Sequence, residues 1–296
     1  MSDQDPSRRL DDFGTLNELK LVSREEAEPA LSRTVEFLIE DCHIPHVSLI
    51  PYPVVFFILA RWFHVHPRSE QPTRDLLARW VWRGIVTGAH QRAAVSAMRE
   101  QVRDIKPDEE QKSLNRLLAR VNSPAAHRWK LGKFHLKSAH GRIETLALLA
   151  QRPRDRYGIV RLGELVSGGR IAREIFPARV WSSFDATGQR LAKTAANRVL
   201  LGSAHTGLNT EISRWSWDRD QEALKSHLMD ERSFEFLCRS EADAFLQRRE
   251  EAVVAATERM IAERAAWEEP VLRPLSAYFE HPQVGVPFFA DERQET

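Results

Sequence analysis

The chain has 296 residues, of which 42% are hydrophobic, 8% aromatic and 29% charged, a composition that supports a sizeable core and excludes disorder for the bulk of the protein. Its most apolar run, residues 47–60, is interrupted by Ser48, Pro51 and Pro53 and is too short to cross about 30 Å of hydrocarbon, so we expect no membrane span. Two cysteines are too few for a disulfide framework, and residues 1–10 lack the apolar stretch of a secretory signal. The sequence therefore predicts a reduced, cytoplasmic protein.

The small net charge of +1 conceals a strong segregation of charge along the chain. Residues 1–60 carry 5 basic and 11 acidic side chains, residues 61–219 carry 29 and 14, and residues 220–296 carry 9 and 17. A basic block between acidic flanks is typical of a nucleic-acid or phosphate-binding surface. It is equally typical of basic helices that pair with acidic flanks inside the fold, because linear charge does not say which side chains share a face.

Apolar residues at spacings of three and four predict a helical first half. The predicted helices cover residues 24–41, 52–65, 73–85, 90–104, 108–121 and 138–151. The third begins at a Thr73 cap, and the last begins near Ser138. On the third helix, Arg79 and Arg83 lie one turn apart and away from the apolar stripe.

From Gln151 the chain changes character, because glycines and prolines break it into short apolar pieces that favour short strands and loops. Helical periodicity resumes after Trp217, and residues 240–267, with Ser240 as the cap, predict the longest helix. The expected fold class is mainly α, with a small irregular α+β insert and a long C-terminal helix. We predict a polar N-terminal segment at 1–23, a helical domain at 24–151, the α+β insert at 152–216, C-terminal helices at 217–279 and a loose tail at 280–296.

Common catalytic motifs are missing from the sequence: it has no P-loop, no dinucleotide-binding glycine fingerprint, no HExxH pair and no CxxC pair. The richest constellation is made of short motifs spread over residues 31–267. They are Ile50-Pro51-Tyr52-Pro53, Arg79-Trp80-Val81-Trp82-Arg83-Gly84, Arg173-Glu174-Ile175-Phe176-Pro177, Ala196-Asn197-Arg198-Val199-Leu200-Leu201, Asn209 and Lys225-Ser226-His227. Together they resemble the C-terminal portion of GmrSD-type restriction proteins.

That resemblance implies a role in defence against foreign DNA, with a nucleotide-dependent N-terminal domain joined to a helical arm and an HNH-like nuclease module. The family's nuclease pattern is Glu-His-Ile-x-Pro, then a Gly-Asn-Leu-like strand, then a later Asn. In this chain Arg173 and Glu174 stand at the Glu-His pair, Asn197 follows alanine instead of glycine, and Asn209 is the later Asn. Residues 152–216 would therefore be a degenerate HNH-like module.

The replacement of the family's histidine by Glu174 affects the expected chemistry. In an HNH-type module the histidine deprotonates the attacking water, and a glutamate has an ordinary pKa near 4.3 instead of about 6.5. Glu174 is thus a poorer base near neutral pH unless burial raises its pKa. We expect a module that does not cut, and no catalysis by the isolated chain.

The family's nucleotide-hydrolysing domain, with its DGQQR-type motif, has no counterpart in this sequence. Either the gene is split and the missing half is a separate protein, or the chain is a truncated remnant. In the first case we expect a nucleotide-hydrolysing protein partner.

The family's nuclease pattern, the histidines and the basic residues together give the candidate site residues. The candidate catalytic residues are Glu174, Asn197 and His227. The candidate metal ligands, for Mg²⁺ or Mn²⁺ if the module is active, are Glu174, His205 and Asn209. The candidate nucleic-acid contacts are Arg79, Arg83 and Arg198. Some of them have a structural alternative: a solvated helix face for Arg79 and Arg83, a turn for Asn197 and a hydrogen-bonded helix end for His227.

Three functions are compatible with the sequence. The first is a DNA-engaging or scaffolding arm of a GmrSD-like defence system, which binds double-stranded DNA and a separate nucleotide-hydrolysing protein and has no catalysis of its own. The second is an active metal-dependent HNH-like endonuclease. The third is a structural protein-interaction module that docks through its long C-terminal helix.

Overall fold

The computed structural model describes residues 24–91, 95–121, 128–167, 171–201 and 208–269. Within these ranges the chain forms twelve α-helices and two small antiparallel sheets, which confirms the predicted mainly α class. The predicted N-terminal segment 1–23 and the tail 280–296 lie outside the described residues. No helix in the described ranges is both long and apolar enough to cross a membrane.

Six helices make up the part of the chain before Gln151. They are α1 (Arg24–Glu40), α2 (Val54–Val65), α3 (Gln71–Thr87), α4 (Val95–Asp104), α5 (Glu110–Ala119) and α6 (Ala139–Ala150). Local signals fix their ends: Ser138 Oγ accepts a hydrogen bond from Gly141 N at 3.0 Å, and Gly88 ends α3 at a φ of 69°. Thr73 does not cap α3, which begins two residues earlier with Pro72 in its first turn.

The remainder alternates short strands with short helices before two longer helices close the chain. Its elements are β1 (Arg154–Asp155), β2 (Gly158–Ile159), α7 (Leu162–Ser167), β3 (Arg173–Glu174), α8 (Ala186–Leu191), β4 (Arg198–Val199), α9 (Leu208–Ile212), α10 (Trp217–Ser226), α11 (Glu231–Cys238) and α12 (Ala242–Ala265). β1 pairs with β2 and β3 pairs with β4, with Glu174 opposite Arg198. The predicted cap Ser240 instead has a φ of 61° in the turn after α11, and Glu241 precedes α12.

Two clusters of buried apolar residues form the core. The first lies among α1 to α6 and includes Trp62, Trp80 and Trp82. The second extends from Leu131 to Val253, so residues before and after Ser216 pack into the same core. This packing follows from the short elements between residues 152 and 216, which have little apolar surface to bury among themselves.

The long helix α12 joins the two clusters. Phe245 and Val253 belong to the second cluster, whereas Met260 and Ala265 belong to the first. The helix packs against α3, α6, α8 and α11. The buried apolar residues of α12 therefore pack within the described part of the chain, and docking through this helix, the third function compatible with the sequence, stays a prediction.

Candidate functional site

The predicted site residues Glu174 and Arg198 face each other across the β3–β4 pair. Their ion pair joins Arg198 Nη2 to Glu174 Oε1 at 3.1 Å. The Arg198 guanidinium also lies 5.3 Å from the centre of the Phe134 ring. Burial lowers the pKa of Arg198, and the charge of Glu174 opposes that shift. Each side chain thus compensates the other's charge, and Arg198 points into the protein.

Asn197 is fully buried, and its amide group is completely hydrogen-bonded within the fold. Its Oδ1 accepts a hydrogen bond from Phe176 N at 2.8 Å, and its Nδ2 donates to Phe176 O and Ala192 O, both at 2.9 Å. These bonds use both amide hydrogens. Asn197 holds the chain that follows β3 against the chain that precedes β4.

His227, at the end of α10, is a buried neutral histidine. Burial, helped by the charge of Arg249, lowers its pKa to about 3. Its Nε2 lies 2.8 Å from Arg154 O, so this nitrogen carries the hydrogen and donates it to the carbonyl. His227 therefore anchors β1 to α10.

Sequence reasoning missed Arg249, which connects these predicted residues. It is fully buried in α12 and donates from Nη1 to His227 O and from Nη2 to Arg198 O. Burial lowers the pKa of Arg249 to about 9, which still leaves the guanidinium charged at neutral pH. The local sequence does not distinguish Arg249 from a solvent-exposed arginine, because no sequence motif marks a buried cation that bonds backbone carbonyls.

Asn209 lies in α9, next to the same strand pair. Its backbone N donates to Ile175 O at 3.1 Å, and Ile175 N donates to Asn197 O at 3.0 Å. The structure thus brings Glu174, Asn197 and Asn209 into one region. The predicted ligand His205 lies outside the described residues, and the described residues contain no cluster of three or more histidine, cysteine or acidic side chains arranged to hold a metal ion.

Arg79 and Arg83 contact the C-terminal end of α12 instead of forming a solvated face. Arg83 is buried and donates from Nε to Ala265 O at 2.8 Å and from Nη2 to Ala266 O at 2.7 Å. Arg79 forms an ion pair with Glu269. Cations that bond the last carbonyls of a helix satisfy groups that otherwise lack partners. Arg83 therefore holds the end of α12 against α3, and Arg79 holds the chain that follows α12.

A different set of cations is exposed on an irregular segment just before α6. We call residues 128–137 the basic segment. Its exposed side chains alternate with less exposed ones that pack inwards; the exposed ones are Arg128, Lys130, Lys133, His135 and Lys137. The lysines and the arginine form no ion pair with any acidic side chain in the described ranges. Phe134 N donates to Lys193 O at 2.8 Å, which places exposed Lys193 beside the segment.

Inward contacts hold the basic segment in place. Trp129 stacks on His140, with ring centres 4.2 Å apart and planes 11° from parallel. His140 Nε2 lies 2.9 Å from Lys130 O and 3.0 Å from Oε1 of buried Glu144, and the hydrogen bond to Glu144 raises the pKa of His140. Trp129 N also donates to Glu258 Oε1 at 2.8 Å. The exposed cations are thus held on a fixed backbone, which reduces the entropy that binding would otherwise cost.

A second exposed surface lies on α1. Leu31, Val35 and Ile39, each four residues from the next, are 36%, 43% and 44% exposed. The opposite face of α1 packs on α2 through buried Phe37 and Leu38. The acidic residues that flank the exposed stripe are Glu28, Glu36 and Glu40. An apolar stripe that recurs every four residues on an exposed helix face is typical of a surface that binds another helix.

Comparisons with known proteins identify no relative: no family model matches the chain, and neither a curated protein nor a solved structure matches it. The resemblance to GmrSD-type restriction proteins remains a prediction from the sequence.

Proposed function

We propose that this protein is a DNA-engaging or scaffolding arm of a GmrSD-like defence system in the cytoplasm, without catalysis of its own. It binds the phosphate backbone of double-stranded DNA through the basic segment and Lys193. The observation that carries this proposal is the row of exposed cations that no described carboxylate neutralises. Arg79, Arg83 and Arg198, the cations that the sequence singled out, contribute by holding the fold.

Counterion release supplies the binding free energy in this proposal. Duplex DNA carries about one negative charge per 1.7 Å of its axis, and each phosphate that a lysine or arginine neutralises releases condensed counterions. Contacts of this kind position a protein on the duplex without reading its sequence. We therefore expect binding that depends strongly on salt and weakly on DNA sequence.

The hydrogen bonds and the ion pair of the candidate catalytic side chains support the proposed absence of catalysis. Asn197 has both amide hydrogens engaged, and His227 donates its Nε2 hydrogen to Arg154 O. Glu174 is paired with Arg198. A general base must reach the proton that it abstracts, and these contacts commit the side chains to the backbone or to each other.

The test is duplex-DNA binding by the purified chain at low and moderate salt, with Mg²⁺ or Mn²⁺ present and product lengths measured. We expect binding that weakens steeply as salt rises and DNA that stays intact. Absence of binding, or binding that is insensitive to salt, contradicts the proposal. Cleavage that Glu174→Ala abolishes would instead establish the alternative of an active endonuclease.

The α1 surface favours a second role, that of a docking site for the separate nucleotide-hydrolysing protein. Because Glu28, Glu36 and Glu40 flank the apolar stripe, the complementary partner is an amphipathic helix with an apolar stripe and flanking lysines or arginines. A second copy of α1 fits poorly, since it would place glutamates opposite glutamates.

This docking role predicts that Val35→Asp abolishes the complex with the proposed partner, a separate nucleotide-hydrolysing protein. Burying a carboxylate in an apolar interface is costly, because the charge loses its hydration. Val47→Asp is the matched control, since Val47 is exposed but lies outside α1. Sedimentation of the mixtures should show a complex with wild-type protein and with Val47→Asp only. A complex that survives Val35→Asp contradicts the assignment of the surface.

A further inference from the structure

The β1–β2 hairpin presents an almost fully exposed aromatic ring. Tyr157, in the two-residue turn between the strands, is 97% exposed. The turn is braced by Asp155, whose Oδ1 accepts hydrogen bonds from Tyr157 N at 2.7 Å and Gly158 N at 2.9 Å. Gly158 adopts a φ of 146°, which a side chain would disfavour. The tip therefore has a defined shape that holds the ring in solvent.

The base of the hairpin is also fixed. Arg154 N donates to Ser226 Oγ at 2.9 Å, and Arg154 O accepts the hydrogen of His227 Nε2. Arg156 Nη2 donates to Asp220 Oδ2 at 2.9 Å. His227, which the sequence suggested as a catalytic residue, thus serves to orient the hairpin.

The hairpin and the residue Arg161 just after it also carry exposed apolar and cationic side chains. Ile159 on β2 is 52% exposed. Arg161 is exposed and pairs with no acidic side chain in the described ranges, and Arg154 makes only an exposed ion pair with Glu222 at 3.4 Å. Exposed ion pairs contribute little energy, so the guanidinium of Arg154 can exchange its partner for a phosphate at low cost. An exposed aromatic ring on the same hairpin as guanidinium groups that can contact phosphates is the combination that binds a base together with its phosphate.

We propose that Tyr157 stacks on an unpaired nucleobase while Arg154 and Arg161 contact the adjacent phosphates. This inference rests on the proposed function and deepens it, because it adds a contact with bases to a backbone-binding surface. The ring is 97% exposed, so it recognises the flat face that all bases share and not the edge of one base. Unpaired bases are favoured, because a base inside a duplex must first be unstacked.

The test compares two DNA probes that share one sequence: a fully paired duplex and a duplex with one unpaired fluorescent adenine analogue. Wild-type protein should bind the second probe more tightly and change its fluorescence. Tyr157→Ala should weaken binding to the second probe about 5- to 150-fold and abolish the fluorescence change, with little effect on the paired probe. Tyr157→Phe should behave like wild type, and Val47→Ala is the control for an exposed apolar side chain outside the hairpin.

The outcomes separate this inference from the proposed function. If wild type binds both probes and Tyr157→Ala behaves like wild type, the stacking inference fails and DNA binding stands. If wild type binds neither probe, both fail. Sedimentation with vesicles of phosphatidylcholine and phosphatidylserine tests a membrane surface as the partner of the ring. Vesicle binding that Tyr157→Ala abolishes, with DNA binding unchanged, overturns the inference.

Discussion

Replacing Lys130, Lys133 and Lys137 together by glutamate is expected to weaken duplex-DNA binding about 100-fold or more at physiological salt. Each phosphate contact contributes about −0.9 to the slope of log K against log salt. The loss of three contacts corresponds to roughly two powers of ten in affinity near 0.15 M salt, and the new carboxylates add repulsion. Fluorescence anisotropy of a labelled duplex measures the effect.

The same substitutions should leave the fold intact. All three side chains are exposed, and Lys130 contacts His140 through its backbone carbonyl and not through its side chain. Surface substitutions of this kind usually change the free energy of unfolding by less than about 0.5 kcal/mol. Urea unfolding of the triple variant therefore serves as the control for folding.

A matched variant separates a local effect from a change in net charge. Replacing Arg68, Lys106 and Lys112 by glutamate alters the net charge by the same amount at exposed positions outside the basic segment. We expect this variant to lose much less affinity than the triple variant in the segment, because the new carboxylates lie outside the proposed phosphate contacts and salt screens exposed charges. Equal losses in the two variants would mean that the basic segment is not the binding surface.

The second large effect is acid destabilisation caused by two buried histidines. Burial lowers the pKa of His227 to about 3 and that of His90 to about 4. Between these values and the ordinary histidine pKa near 6.5, the unfolded state binds protons that the native state does not. The free energy of unfolding therefore rises with pH in this window and falls as the solution is acidified. We expect a loss of about 3 kcal/mol per histidine between pH 6.5 and pH 4.

His227→Gln isolates the contribution of one histidine. The glutamine amide retains a donor for Arg154 O but does not titrate, so the loss between pH 6.5 and pH 4 should shrink by about 3 kcal/mol relative to wild type. Urea unfolding at a series of pH values measures this difference, and the contributions of the carboxylates cancel in the comparison. Parallel pH profiles for wild type and His227→Gln would show that His227 does not titrate as described.

Regular helices were predictable because apolar periodicity is a local property. The pattern of residues 24–41 predicted α1 to within one residue at its end, and Ser138 predicted the start of α6. The short strands between residues 152 and 216 followed from glycine and proline punctuation. The turn at Ser240 was missed, because a serine just before a helix is typical of an N-cap. An N-cap residue has an extended backbone, whereas Ser240 has a positive φ, which the sequence does not reveal.

The site was less predictable, because burial of polar groups depends on contacts between residues distant in sequence. Arg83 and Arg249 look like solvated helix residues, yet each is buried against backbone carbonyls. The basic segment did carry a local signal, the alternation of cations with apolar residues from Arg128 to Lys137. That alternation is typical of a strand with one exposed face, and here it occurs on an irregular segment before α6.

The most direct test of backbone binding by the basic segment is the slope of log K against log salt, measured for wild type, the lysine triple variant and the matched control. We predict a steep negative slope for wild type and for the control, and a slope reduced by about 3 for the triple variant. Identical slopes for all three proteins, or a flat slope for wild type, would contradict DNA binding through the basic segment.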